Sequence, residues 1–375
     1  MSSGRRTNPA TKAVRADPIA IPRARNLVAL GVTVAVAALA YQVLVVLLGQ
    51  DYNLKTLTLV GVFAVATLGL ALLLGLTHQF SLAHAFFFAL GAYVYAVLAG
   101  TDIGWSPSHA ALTAVAASAS IAYGSGRVLL RLEGFYFAVA TLGLALIGEN
   151  LLFVWRDRTG GDDGLRAPTL QVLGYEFDTP LRKYVLVAGA LAIAFMLACN
   201  ISRSQRGRAA RAIAVDELMA ASNGIDVVKV KTEMFVISAI YASVGGTLYA
   251  VVAEYLSPSI GGVSTTLEFV VAVIVGGMGG LAGPVLVVAV LRWLPIMVES
   301  VEDHVDLVYG ALLVLLLMLP GRSARPSVFR RVVERRALRR VTESTGGASP
   351  PPDDERSRRR PAGGDADADA EELRA

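Results

Sequence analysis

The chemically capable residues of this chain are few, and several stand inside apolar runs. Glu149, followed by Asn150, lies within one such run, with Thr141 two turns earlier on a nearby face. A charge at mid-bilayer costs about 2.5–3.5 kcal/mol on insertion scales, so an ionisable residue there either pairs within a bundle or lines a path. Pairing is the commoner role, and the residues leave both open. His78, Gln79, Ser81 and His84 form a polar cluster between two other apolar runs. Four histidines without clustered Cys or carboxylates do not make a metal site. The YGSGR segment around Ser125 lacks the spacing of an intramembrane serine nucleophile, and no catalytic pair accompanies it. No G-x-x-x-x-G-K-[ST] occurs, so nothing in the chain cradles nucleotide phosphates in the P-loop manner. Glu133, Glu254 and Glu268 fall at the ends of apolar runs, where exposure is expected.

A second group of polar residues forms an island of charge, Arg203 to Lys231, with six basic and three acidic residues between long apolar stretches. From Ala209 its spacing predicts a helix carrying Ala210, Ile213, Ala214, Leu218 and Ala221 on one face, with only Glu217 intruding. Those groups are small enough for close approach to another surface, and Arg206, Arg208 and Arg211 could flank the contact. Asn223 and Gly224 tolerate the left-handed conformation that ends a helix. The plain alternative is a loop whose arginines only fix topology.

The elements that position these groups follow from composition. Hydrophobic residues make up 54% and charged residues 17% of 375, and mean hydropathy is +0.56. These values indicate an all-α, polytopic transmembrane helical bundle. A lone Cys199 permits no intrachain disulfide. A span needs about 20 mainly apolar residues. Runs of that order fall at 27–49, 55–77, 82–99, 109–130, 134–156, 184–202, 232–253, 266–280, 284–300 and 305–320, giving ten crossings. The separations at 77–84 and 276–284 are so short that either can be a broken or re-entrant helix, which would reduce the count to eight or nine.

Of the 34 Lys and Arg, six lie in residues 1–26 and thirteen in 321–375, as flanking tails rather than a nucleic-acid surface. The positive-inside rule places both tails and the island in the cytoplasm, which ten crossings satisfy. The loop from Asp157 to Lys183 then lies outside. Residues 27–320 form the membrane domain and 321–375 a basic, then acidic, disordered tail, whose stretch RPSVFRRVVERRALRRV suits an amphipathic helix on anionic lipid. The run after Arg25 has no cleavage site and reads as a retained first helix. Gly276, Gly277, Gly279, Gly280, Gly283 and Pro284 interrupt one apolar pair as the histidine cluster interrupts another, hinting at a weak internal repeat. Either break could serve as a hinge or line a cavity. For the glycine run, close helix packing is the more ordinary role.

Several of these segments resemble one family. DELMAASNGIDV is similar to the cytoplasmic coupling loop of ABC importer permeases, marked by E-A-A, three residues, then G. It is closer to the D-E-I-A-A-x-x-x-G-I of the branched-chain amino acid branch, which Asp216, Glu217, Ala220, Gly224 and Ile225 match and from which Leu218 and Met219 depart. LLLGLTHQFSLAHAFFFALGAY resembles the signature L-G-x-x-G-Q-x-S-L-G-H-A-x-F-x-x-G-A-Y, with His78 and Ala83 in place of glycines. LEGFYFAVATL, TGGDDGL and VIVGGMGGLAGP resemble three further family segments in family order. Over residues 55 to 321 the chain is thus similar to the M-type permease subunit of branched-chain amino acid ABC importers.

The resemblance implies a permease rather than an enzyme, in a prokaryotic inner membrane with both termini cytoplasmic. It implies a second, H-type permease, two ATPase subunits that hold ATP and Mg, and an external substrate-binding protein. It implies no cofactor in this chain, and branched-chain or related amino acids as substrate. Urea or short-chain amide importers look alike at this level. A secondary transporter or channel, independent of ATPases, is the alternative from another class. The coupling residues would be Arg208, Arg211, Asp216, Glu217, Leu218, Ala220, Gly224 and Ile225. Gln79, Ser81, His84, Thr141, Glu149, Asn150, Gly276, Gly277, Gly280 and Pro284 are candidates for the translocation path or its hinges.

Overall fold

The computed structural model describes residues 51–100, 103–132, 134–172, 175–277 and 280–297. The expected spans 27–49 and 305–320, both tails, Glu133 and Gly279 lie outside the described residues.

Within them the chain is a helical bundle. Helices α1 (Asp51–Thr77), α2 (His84–Ala99), α3 (Pro107–Leu129) and α4 (Phe135–Val154) are followed by a single turn, α5 (Arg156–Thr159). Strands β1 (Leu165–Arg166), β2 (Gln171–Val172) and β3 (Tyr175–Glu176) come next, then α6 (Pro180–Arg203), α7 (Gln205–Val215), α8 (Glu217–Ser222) and α9 (Val227–Ala253). The described part closes with β4 (Tyr255–Leu256), α10 (Val263–Gly276) and α11 (Ala282–Met297). Eight of these helices correspond to the second through ninth expected spans. Four stretches, Leu54–Thr77, Phe135–Val154, Pro180–Arg203 and Val227–Ala253, are long and apolar enough to cross a bilayer.

Helices α1 and α9 form the centre, because past their charged first turns their side chains are mostly apolar or small. Val62, Val65, Ala66 and Leu68 of α1 are fully buried, as are Ala242, Ala250 and Val251 of α9. Helix α2 lies so close to α9 that a Cβ at Gly246 would sit 1.8 Å from the Phe88 carbonyl oxygen, and one at Gly91 would sit 2.3 Å from that of Ser243. Helix α3 buries Ala110, Ala114, Ser118, Ala122 and Gly126, one small residue per turn, against α9 and α2. Helices α4 and α6 are peripheral and turn Phe135, Ile147, Val185 and Ile193 outward. In hydrocarbon such side chains need no cover.

Helix α9, 27 residues and so about 40 Å long, separates two polar ends. At one end stands the charged island. At the other, β1 pairs antiparallel with β4 in the register Leu165↔Leu256, β2 pairs with β3, and the Ala167 N–H donates to the Glu254 carbonyl at 3.0 Å. Glu254 closes α9 with φ 63°, and its carboxylate binds the buried Lys183 ammonium at the start of α6.

Candidate functional site

The island is not the single helix that its spacing predicts. Asp216 is extended (φ −161°) and splits it into α7 and α8, because its carboxylate caps the second helix by accepting from the Met219 N–H at 2.9 Å. The expected stripe is therefore broken. Ala210 and Ile213 are buried, whereas Leu218 and Ala221 are exposed. Ala220 is the inward residue of α8, at 4% exposure. Val215, Leu218 and Met219 face outward at 86%, 82% and 64%. Helix α8 ends in a Schellman arrangement. The Gly224 N–H donates to Ala221, the Ile225 N–H donates to Ala220, and Gly224 has φ 81°.

Charge holds the island in place. The Glu217 carboxylate accepts from Lys231 of α9 at 2.5 Å, and Arg206 lies 3.3 Å from Glu233. The guanidiniums of Arg208 and Arg211 turn back to the Arg203 and Ser202 carbonyls at 2.8 and 2.6 Å, at the negative end of the α6 dipole. They fasten the loop to α6. Gly207, which sequence reasoning passes over, allows this, since a Cβ there would lie 2.3 Å from the Ile201 carbonyl oxygen.

The first break is a re-entry into the bundle. His78 ends α1 in the left-handed region, φ 53°, at a position where the family motif has glycine. Segment 78–83 then turns inward, so that His84 at the head of α2 reaches Ala66, eleven residues back along α1. His84 Nε2–H donates to the Ala66 carbonyl at 2.9 Å, and Nδ1 accepts from Ser238 Oγ at 3.3 Å, a fully used neutral imidazole. Thr141 Oγ1 accepts from the Leu82 N–H and donates to the Ala138 carbonyl, both at 2.9 Å. Gln79 and Ser81 are buried, with Thr77 Oγ1 donating to Gln79 at 3.4 Å and Ser81 Oγ accepting from the Ala83 N–H at 3.4 Å. The structure thus brings Gln79, Ser81, His84 and Thr141 together as braces of one turn.

The second break is the tip of a hairpin between α10 and α11. Gly276 packs on Gly283 and Pro284 backbone to backbone, Gly277 has φ 90°, and no described residue comes within 4 Å of a Cβ built at Gly280. Glu149 is half-buried beside Gly262, the residue just before α10, while Asn150 is exposed and donates to the Leu146 carbonyl. Glu149 has no cationic partner among the described residues.

Of the two described acidic residues expected to be exposed, Glu254 is exposed and Glu268 is not. Glu254 holds Lys183, and that hydrogen bond keeps its carboxyl below the usual range. Glu268 is 2% exposed and bound bidentately by Arg292, Nε to Oε1 at 2.6 Å and Nη2 to Oε2 at 2.7 Å. The exposure rule fails at Glu268 because α10 begins at Val263, so Glu268 sits inside the helix rather than at its end. Sequence reasoning also leaves Arg292 unmarked; an arginine within the apolar run of α11 is the signal that finds it.

At the end opposite the island a cavity of about 870 Å³ opens between the end of α2, the α2–α3 connection and segment 158–171. Arg158, Arg166, Gln171 and Glu254 give it polar groups, and Trp105 and Leu165 apolar ones. Among the described residues no cluster of His, Cys, Asp or Glu could hold a metal ion.

A polytopic helical bundle with interrupted helices, a tethered loop at one end and an open cavity at the other fits the class of membrane transport proteins. Residues 52–317 match the family described as the permease component of branched-chain amino acid transport systems, and the chain belongs to that family. It is 28% identical to the high-affinity branched-chain amino acid transport system permease protein LivM of Escherichia coli K12, over 73% of this chain and 69% of that protein. It is also 28% identical to the corresponding permease protein LivH of the same organism, over 72% of this chain and 94% of LivH. No solved structure matches the chain. The relatives are permease components, not enzymes.

Proposed function

We propose that this chain is the M-type half of a paired permease that imports branched-chain or closely related aliphatic amino acids. An H-type permease pairs with it, two ATPases bind ATP and Mg below it, and an external binding protein delivers substrate to the vestibule around Arg158 and Arg166. The island faces the cytoplasm and segment 156–179 faces outward.

The supporting observation is the build of α7 and α8. An apolar surface of Val215, Leu218 and Met219 projects from a loop otherwise fastened to α6 and α9. Exposed apolar side chains on a rigid, charged loop are what a docking partner covers. Glu217, Arg208, Arg211 and the Asp216 cap hold that surface in place, while Ala220 and Gly224 shape it from within. The names of the relatives favour amino acids over urea as the cargo.

Purification of the complex and uptake into vesicles test this reading. The intact complex takes up leucine with ATP and binding protein, and Leu218→Asp loses the ATPases while still inserting. Ion-driven uptake by this chain alone would defeat the importer reading. Uptake of urea in place of leucine would move the cargo to short amides.

A further inference from the structure

The pair Glu268–Arg292 is a charge interaction that neither the island nor the outer end uses. Glu268 is buried, and the Arg292 guanidinium also stacks on Phe63 of α1, 3.4 Å from the ring centroid. Stability alone does not explain it. Replacing a buried ion pair by apolar residues of similar volume is often neutral or stabilising, because desolvation offsets the Coulomb gain. A charge pair retained at membrane depth points to a role in transport.

Its position suggests which role. The pair joins α10 to α11 eight residues from the Gly276 tip, about 12 Å along the helix. At that tip the backbones of Gly276 and Gly283 touch, so the hairpin is bound together at both places. From Arg292 the contacts run through Phe63 to Phe269, stacked at 5.4 Å, and on to His84 at 5.1 Å. His84 is where α2 begins after the other break. One set of contacts therefore connects both interrupted elements.

On the reading of the chain as an importer permease, we propose that Glu268 and Arg292 are positioning residues for transport: their bidentate contact sets the register of the α10–α11 hairpin against α1 and the head of α2. Apolar packing could hold these helices together, but it lacks the directionality of two parallel hydrogen bonds on a planar guanidinium. The hairpin then moves with α2 as one body during the cycle, and loss of register uncouples ATP hydrolysis from passage of substrate.

The test compares the wild-type complex with Arg292→Lys and with the double variant Glu268→Met, Arg292→Met. Melting temperature, uptake Vmax and KM, and ATP hydrolysed per substrate are read together. The double variant assembles with an unchanged or higher melting temperature. Its Vmax falls about tenfold or more while KM stays within about twofold, and ATP hydrolysis continues. Arg292→Lys, which keeps the charge but loses the fork, falls between the two. Wild-type uptake by the double variant would overturn the proposal, since apolar packing would then suffice. Failure of that variant to assemble would overturn it too, by making the pair a requirement of folding, and so would a raised KM at unchanged Vmax, which marks substrate contact. Absence of ATP-dependent uptake by the wild-type complex would instead defeat the importer reading itself.

Discussion

Lys231 Nζ lies 2.5 Å from Glu217 Oε1, so the first turn of α8 is tied to the first turns of α9. The ammonium end is 8% exposed and the carboxylate end 47%, which places the bond at the edge of the bundle. A push on α8 reaches α9, one of the two central helices, through this contact. Glu217→Ala should cost about 1 kcal/mol or less, since the carboxylate it removes is half solvated. Hydrogen exchange should show faster amides at residues 219–225 with little change in melting temperature. Unchanged exchange there would mean that the tether carries no load.

Gly283 and Gly280 should respond differently to the same substitution. A Cβ at Gly283 would lie 1.9 Å from the Gly276 carbonyl oxygen, an atom fixed in backbone, whereas among the described residues nothing lies within 4 Å of one at Gly280. Gly283→Ala should destabilise by about 1–3 kcal/mol or prevent folding, as overpacking does. Gly280→Ala should stay within about 0.5 kcal/mol. Thermal unfolding of both variants in detergent checks this.

Glu254 makes the end opposite the island sensitive to acid. Its carboxyl is held below its ordinary value of 4.5, first by the hydrogen bond from Lys183. A depressed folded value contributes stability above the unfolded value, and that contribution is lost as pH falls through the folded one. The melting temperature should therefore decline below about pH 4.5 and be insensitive to this group above it. Glu254→Gln should be less stable at neutral pH and should lack that part of the acid decline. Equal declines in both proteins would exclude the pair as the cause.

Orientation is open to a labelling experiment. In a Cys199→Ser background, cysteine at Tyr175, 55% exposed on segment 156–179, should react with an impermeant maleimide in intact cells. Cysteine at Leu218 should react only after permeabilisation. The reverse pattern would invert the proposed topology.

Much of the bundle was legible before folding because hydrocarbon imposes a simple rule: each helix needs a long apolar run and satisfies its own backbone. That rule marks out the helices from α1 to α11 that match expected spans, and it singles out 203–231 as an exception. The end of α8 was equally local, since Gly224 supplies the positive φ that the turn needs. The break at Asp216 was less visible, because apolar periodicity runs through it and only the carboxylate's bond to the Met219 N–H decides against continuity.

The sequence by itself determined the class, the family and the places where helices are interrupted, because these depend on hydropathy, motif order and residues with special backbone freedom. Only the tertiary structure decided what the interruptions do. His84 meets Ala66 and Ser238 from positions 18 and 154 residues away, and Glu268 meets Arg292 across a hairpin. Neither polar group can remain unpaired at that depth, and the partner that satisfies each is set by how helices distant in sequence pack together.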